Sequence, residues 1–191
     1  PILPDEGIDY TKEYDEIAYP RNSYDECVDY ISNELVKAAM LLEEARGPQD
    51  IVRPTRGAAL SLRSRVLLYA ASPLFNGKAP AEVIAALVDK SGKKLLSDTY
   101  DERKWAIAAA AAKDVIELGK YQLYVAYKSE GGSSLSDPAT ITPPDDEGTF
   151  HSNPWPKGWQ NIDPFKSYRA LFDGEVSAYG NSEIIFTRGT N

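Results

Sequence analysis

Two tryptophans four residues apart, Trp155 and Trp159, stand in the stretch HSNPWPKGWQNID, crowded with prolines and amide side chains. Sugar rings present apolar C–H faces edged by hydroxyls. A protein holds them by laying an aromatic ring on that face and setting polar groups at its rim, and an indole offers a large flat area plus an N–H donor. Trp155 and Trp159, with Phe150, His151, Asn153, Gln160 and Asn161, form the candidate glycan-binding set, and Lys157 and Asp163 lie close by in sequence. The competing reading is a plug, in which Pro-Trp-Pro and Gly-Trp fasten the loop to its scaffold, since indoles are usually largely buried. Trp105 has a different setting, a helical stripe shared with alanines, and is expected in the core. Tyr69, Tyr121 and Tyr124 are expected at the rim of that core.

Catalysis has weaker support. Asp145, Asp146, Glu147, Asp163 and Glu175 supply carboxylates enough for a glycosidase pair, which needs two groups about 5 to 9 Å apart. Adjacent acids on a loop are more often a solvated run. No Gly-x-Ser-x-Gly nucleophile motif occurs, and His151 is the only histidine. His151 with Asp145 and Asp146 lacks metal-ligand spacing on a rigid element. Asp137, Asp145, Asp146 and Glu147 do not follow an EF-hand loop. The expectation is a non-enzyme without cofactor or metal. Cys27 is the only cysteine, which excludes an internal disulfide framework.

The 191 residues suffice for one domain with a sizeable core. A net charge of -8 argues against nucleic acid as a partner, whose phosphates would be repelled. No apolar run reaches the roughly 18 residues of a membrane-spanning helix.

Helices must carry the loop. Residues 1–22 lack a period and read as an extended arm. Ser23-Tyr24-Asp25-Glu26 is a capping box, and Cys27, Ile31, Leu35, Ala38 and Leu42 make one apolar stripe behind it. Asp25, Asp29, Ser32, Lys37 and Glu44 fall opposite. Gly47-Pro48 ends that helix. Thr55 caps the next one, in TRGAALSLRSRVLLYAASPLFNG. There Ala59, Leu62, Val66 and Tyr69 share a face, and Leu60, Leu67 and Leu74 form a second line. Small residues between the two lines predict a helix packed on both sides. Asn76-Gly77 supplies the exit, where φ turns positive. A short helix is expected over 81–88 and a turn at Ser91-Gly92-Lys93-Lys94. Asp101 opens a third long helix to Leu118, with Trp105, Ala109, Ala112 and Ile116 as its main stripe and Ala108 and Val115 alongside. Gly119 follows it. The helical array thus covers 23–127, a long loop 128–166, and a short helix with a strand at 183–188 completes the chain at 167–191.

The Thr-Arg-Gly-Ala-Ala entry, the Leu-Leu-Tyr-Ala-Ala-Ser-Pro-Leu-Phe-Asn-Gly exit, the helix from Trp105 to Tyr121 and the block Asn181 to Phe186 follow one another in an order that resembles the SusD/RagB family. Arg21 and Ser23 match that family's Arg-x-Ser helix entry. The resemblance implies a mainly α fold of stacked, degenerate tetratricopeptide-like helix hairpins with long loops and little sheet. It also implies an internal fragment of a longer outer-membrane lipoprotein, anchored at the cell surface by a lipid outside this stretch. Such a protein binds an oligosaccharide or polysaccharide and passes it to a SusC-type TonB-dependent transporter for nutrient uptake. A helical scaffold that binds a protein or peptide in its groove is the alternative.

Overall fold

A computed structural model describes residues 1–2, 7–128 and 152–187. Their architecture is mainly α, with two isolated β-bridges in place of a sheet. The chain divides into two compact units, Pro1–Arg46 with Pro54–Leu118, and Gly47–Arg53 with Gly119–Asn191.

In the first unit, a four-residue helix α1 (Tyr14–Ile17) interrupts the otherwise irregular N-terminal segment, and α2 (Tyr24–Leu41), α3 (Arg56–Ala71) and α5 (Arg103–Glu117) follow. The short helix α4 (Ala81–Ala86) lies in the excursion between α3 and α5. The caps of α2 and α3 form as the sequence predicts. Ser23 Oγ accepts from Glu26 N while Glu26 Oε2 accepts from Ser23 N at 2.7 Å, and Thr55 Oγ1 accepts from Ala58 N. At α5 the expected Asp101 cap shifts: the N-cap is Glu102, without a side-chain bond, and Asp101 Oδ1 accepts from Arg103 N two residues on. α3 ends at Ser72, before Pro73, and Gly77 closes the turn that follows at φ +73°, while Gly119 leaves α5 directly at φ +62°.

The central helix α3 packs on α2 along one side and α5 along the other. Their common core is small: Ala70, Ala71, Ala108 and Ala111 meet around Leu67 and Val28. Side chains of this size let helix axes approach to the short end of the usual 8–10 Å range. Polar side chains fix the register. Arg63 donates through Nε to Ser32 Oγ on α2 and through Nη1 to Asp114 Oδ2 on α5, both at 3.1 Å. Arg56 Nε donates to the carbonyl of Ala39, one of the unpaired acceptors in the last turn of α2. Lys104 Nζ bridges from α5 to Asp25 on α2 at 2.7 Å. Asn76, fully buried, donates through Nδ2 to the Asp101 carbonyl at 2.8 Å and accepts from the Asp101 amide at 2.9 Å. It thereby fastens the exit of α3 to the entry of α5. A second cluster of Ala79, Ile84 and Leu96 packs beneath the stacked rings of Tyr24 and Phe75, whose centroids are 4.5 Å apart.

Several expected faces are rotated. On α2 the buried positions are Val28, Ser32 and Ala39, so Ser32, placed on the polar side by its type, is inside. Its hydroxyl is satisfied by Arg63, which removes the cost of burying it. On α5 the inner face is Ala108 and Ala111, and the expected main stripe faces out: Trp105 is 41% and Ile116 75% exposed. On α3, Leu62 and Tyr69 are also largely exposed. The reason is common to all three: closely approaching helices leave room only for small residues at their contact, and the bulky apolar ones are displaced to the flanks.

The second unit holds the 3₁₀ turn Pro48–Asp50 and α6 (Pro164–Arg169). The strand expected at 183–188 does not form over its described part, 183–187. Asn181 turns that backbone instead, its Oδ1 accepting from Glu183 N and its carbonyl from Ile184 N. Gln122 engages this stretch through Ser182, and Tyr124 through the Glu183 carboxylate.

Candidate functional site

The Trp155 loop is built on a two-stranded fragment within the second unit. Tyr127 and Ile162 form an antiparallel bridge, Lys128 N donates to Asn161 O at 3.0 Å, and Asp163 N donates to Ala126 O at 2.8 Å. Above this base the loop closes on itself. Gln160 N donates to the Asn153 carbonyl, Lys157 N and Gly158 N both donate to the Pro154 carbonyl, and Trp155 N donates to Asn161 Oδ1 at 2.8 Å. The Trp155-Pro156 peptide is cis.

Both indoles end half-buried. Lys128 Nζ sits 5.5 Å from the Trp159 ring centroid and donates to the Gln160 carbonyl. The ammonium therefore takes one side of the ring in a cation–π contact. Asn153 is half-buried and Gln160 exposed. Asn161 has a structural task, since its Oδ1 is committed to the Trp155 amide. Asp163 is the N-cap of α6, with Oδ1 accepting from Lys166 N, so it is engaged in helix capping. Phe150 and His151, with Asp137, Asp145, Asp146 and Glu147, lie outside the described residues. Among the described residues no group of three or more His, Cys, Asp or Glu side chains could hold a metal.

Two features went unread in the sequence. Lys128 was not singled out, although it touches both the Trp159 ring and the loop backbone. Tyr168 and Phe172 form an exposed tilted ring pair at 5.2 Å. Their i, i+4 spacing was the available signal.

No family model and no curated protein matches the chain. Among solved structures the chain is similar to BT4246, a Bacteroides thetaiotaomicron protein, at 34% identity and a TM-score of 0.54 over 61% of this chain and 21% of that one. The selenomethionine form of BT4246 matches at 38% identity and a TM-score of 0.48, over 55% of this chain and 18% of that one. The chain thus spans about a fifth of the length of its neighbour. The likeness points to a Bacteroidetes protein.

Proposed function

We propose that this chain belongs to a SusD-like protein that binds glycan at the cell surface without making or breaking bonds. The observation that carries the reading is a loop whose backbone is tied by its own amides and carbonyls while two indoles stay half-exposed. A platform held in this way loses little entropy when a sugar ring settles on it. The likeness to a Bacteroides protein supports the family assignment first suggested by the sequence blocks. On this reading the protein is lipid-anchored in the outer membrane, and the oligosaccharide it captures passes to a SusC-type TonB-dependent transporter. Capture is modest in affinity because release must follow.

Affinity electrophoresis and calorimetry across a glycan panel test the reading. One glycan should bind and be recovered with unchanged reducing ends. Trp159→Ala should weaken it roughly tenfold, the scale of one lost aromatic contact, with the helical circular dichroism unchanged. Trp155→Ala and Trp159→Ala that bind every glycan like the parent chain would remove this loop as the site. Unfolding of both variants would establish the plug reading.

A further inference from the structure

The apolar stripe expected on α2, Cys27-Ile31-Leu35-Ala38, and the apolar face expected on α3, Leu62-Val66-Tyr69, both remain incompletely covered. Ile31 is 41%, Leu62 49% and Tyr69 59% exposed. Between Tyr24, Cys27 and Ile31 of α2 and Arg65, Val66 and Tyr69 of α3 lies a groove of about 290 Å³. Its electrostatics are unusual for this chain. The protein has 29 acidic residues and a net charge of -8, yet among the described residues no carboxylate lines the groove. Every other lysine or arginine on α2, α3 and α5 has an ion-pair partner: Lys37 with Glu34, Arg56 with Glu44, Arg63 with Asp114, Arg103 with Asp101, Lys104 with Asp25 and Lys113 with Glu117. Arg65, at the groove wall, has none among the described residues.

We infer that this groove receives an amphipathic helix of a partner protein, which lays its apolar stripe between α2 and α3 and sets a carboxylate against Arg65. The shape decides for a helix. The α2 wall from Tyr24 to Ile31 runs for about 10 Å at 1.5 Å per residue, the span from i to i+7, and an apolar trough of that length between two helices takes i, i+3, i+4, i+7 side chains. The charge decides for an acidic one, because an unpaired guanidinium beside an apolar wall is complementary to a carboxylate. A second copy of this chain is disfavoured by its like net charge. The inference is independent of the Trp155 loop.

The test uses the full chain and two synthetic helical peptides, identical in their leucine stripe and differing only in glutamate or lysine at the position facing Arg65. Calorimetry should show the glutamate peptide binding at least about tenfold more tightly than the lysine peptide, the scale of one close charge pair. Arg65→Glu should reverse that order. Iodoacetamide alkylation of Cys27, the sole thiol, should slow when the glutamate peptide is bound. Equal affinities, no binding of the glutamate peptide, or binding that leaves Cys27 alkylation unchanged would each overturn the inference. So would a dimer in sedimentation with Cys27 already protected, or protection of Cys27 by an oligosaccharide.

Discussion

Asn76 shows how much one side chain can settle. Its amide group serves both backbone groups of Asp101 from a fully buried position. Asn76→Ala leaves a buried N–H and C=O without partners, so urea unfolding should show a loss of about 2–4 kcal/mol. Gly77 beside it has φ +73°, and a Cβ there would lie 2.2 Å from the Thr99 carbonyl carbon. Gly92 has a similar φ of +84° but open space around it. Gly92→Ala should cost only the left-handed backbone penalty of about 1 kcal/mol, while Gly77→Ala should cost clearly more by the same urea measurement. A third residue links stability to acidity. Hydrogen bonds from Lys93 and from the Ser23 amide, with the Lys93 charge, hold the Glu26 carboxyl down at about 2, below its ordinary 4.5. A carboxylate depressed in the folded state stabilises it fully above its unfolded value, and the contribution fades as pH falls from 4.5 towards 2. Glu26→Gln should therefore flatten the decline of the urea midpoint between pH 5 and pH 2.5, with the gap to the parent chain closing at the acid end. An unchanged gap across that range would count against the assigned pairing.

At the scale of elements, the helices themselves were legible and their rotations were not. Caps and stops are local chemistry: Ser23 with Glu26, Thr55 before Arg56, and Pro73 after Ser72 all act within a few residues. Facing is a tertiary matter, and the usual guide, that bulky apolar residues point inward, misleads when helices meet through alanines. Ala70 and Ala71 against Ala108 and Ala111 form the contact, while the bulkier Trp105 and Ile116 stand outside it. This predicts an inversion of the ordinary substitution pattern. Ala111→Leu should destabilise by about 1–3 kcal/mol through overpacking, whereas Trp105→Ala, at a largely exposed position, should cost about 1 kcal/mol or less. Thermal denaturation of the two variants decides it, and a larger loss for Trp105→Ala would place that indole in the core after all. The strand expected at 183–188 failed for a related reason: alternation of Ile184, Ile185 and Phe186 signals a strand only where a neighbour completes its ladder. Asn76 reads locally as a turn residue, but its partner lies 25 positions away, beyond any local pattern.

For the whole molecule, the acidic balance bears on the proposed ligand. Neutral glycan held by indoles and amides involves no net charge pairing, so its affinity should change less than about twofold between low salt and 0.5 M salt, where charge effects are screened. A steep salt dependence in calorimetry would point instead to an anionic polysaccharide drawn to Lys128. Within the Trp155 loop, the residue types of the candidate set were legible in the sequence. Their division of labour was not. Asn161 and Asp163 look like sugar ligands by type, yet one is bonded to the Trp155 amide and the other caps α6. Polar groups that build a loop and polar groups that read a ligand have the same chemistry, and only geometry separates them.

The tie between Asn76 and Asp101 has a last implication for how this scaffold tolerates change. Because α3 and α5 are joined directly at their adjacent ends, the chain between them is freed from setting their alignment, and its exposed tip at Ser91-Gly92 can lengthen at little thermodynamic expense. New surface could be grafted there while the three-helix frame keeps its shape, which makes the excursion the natural place for related chains to diverge.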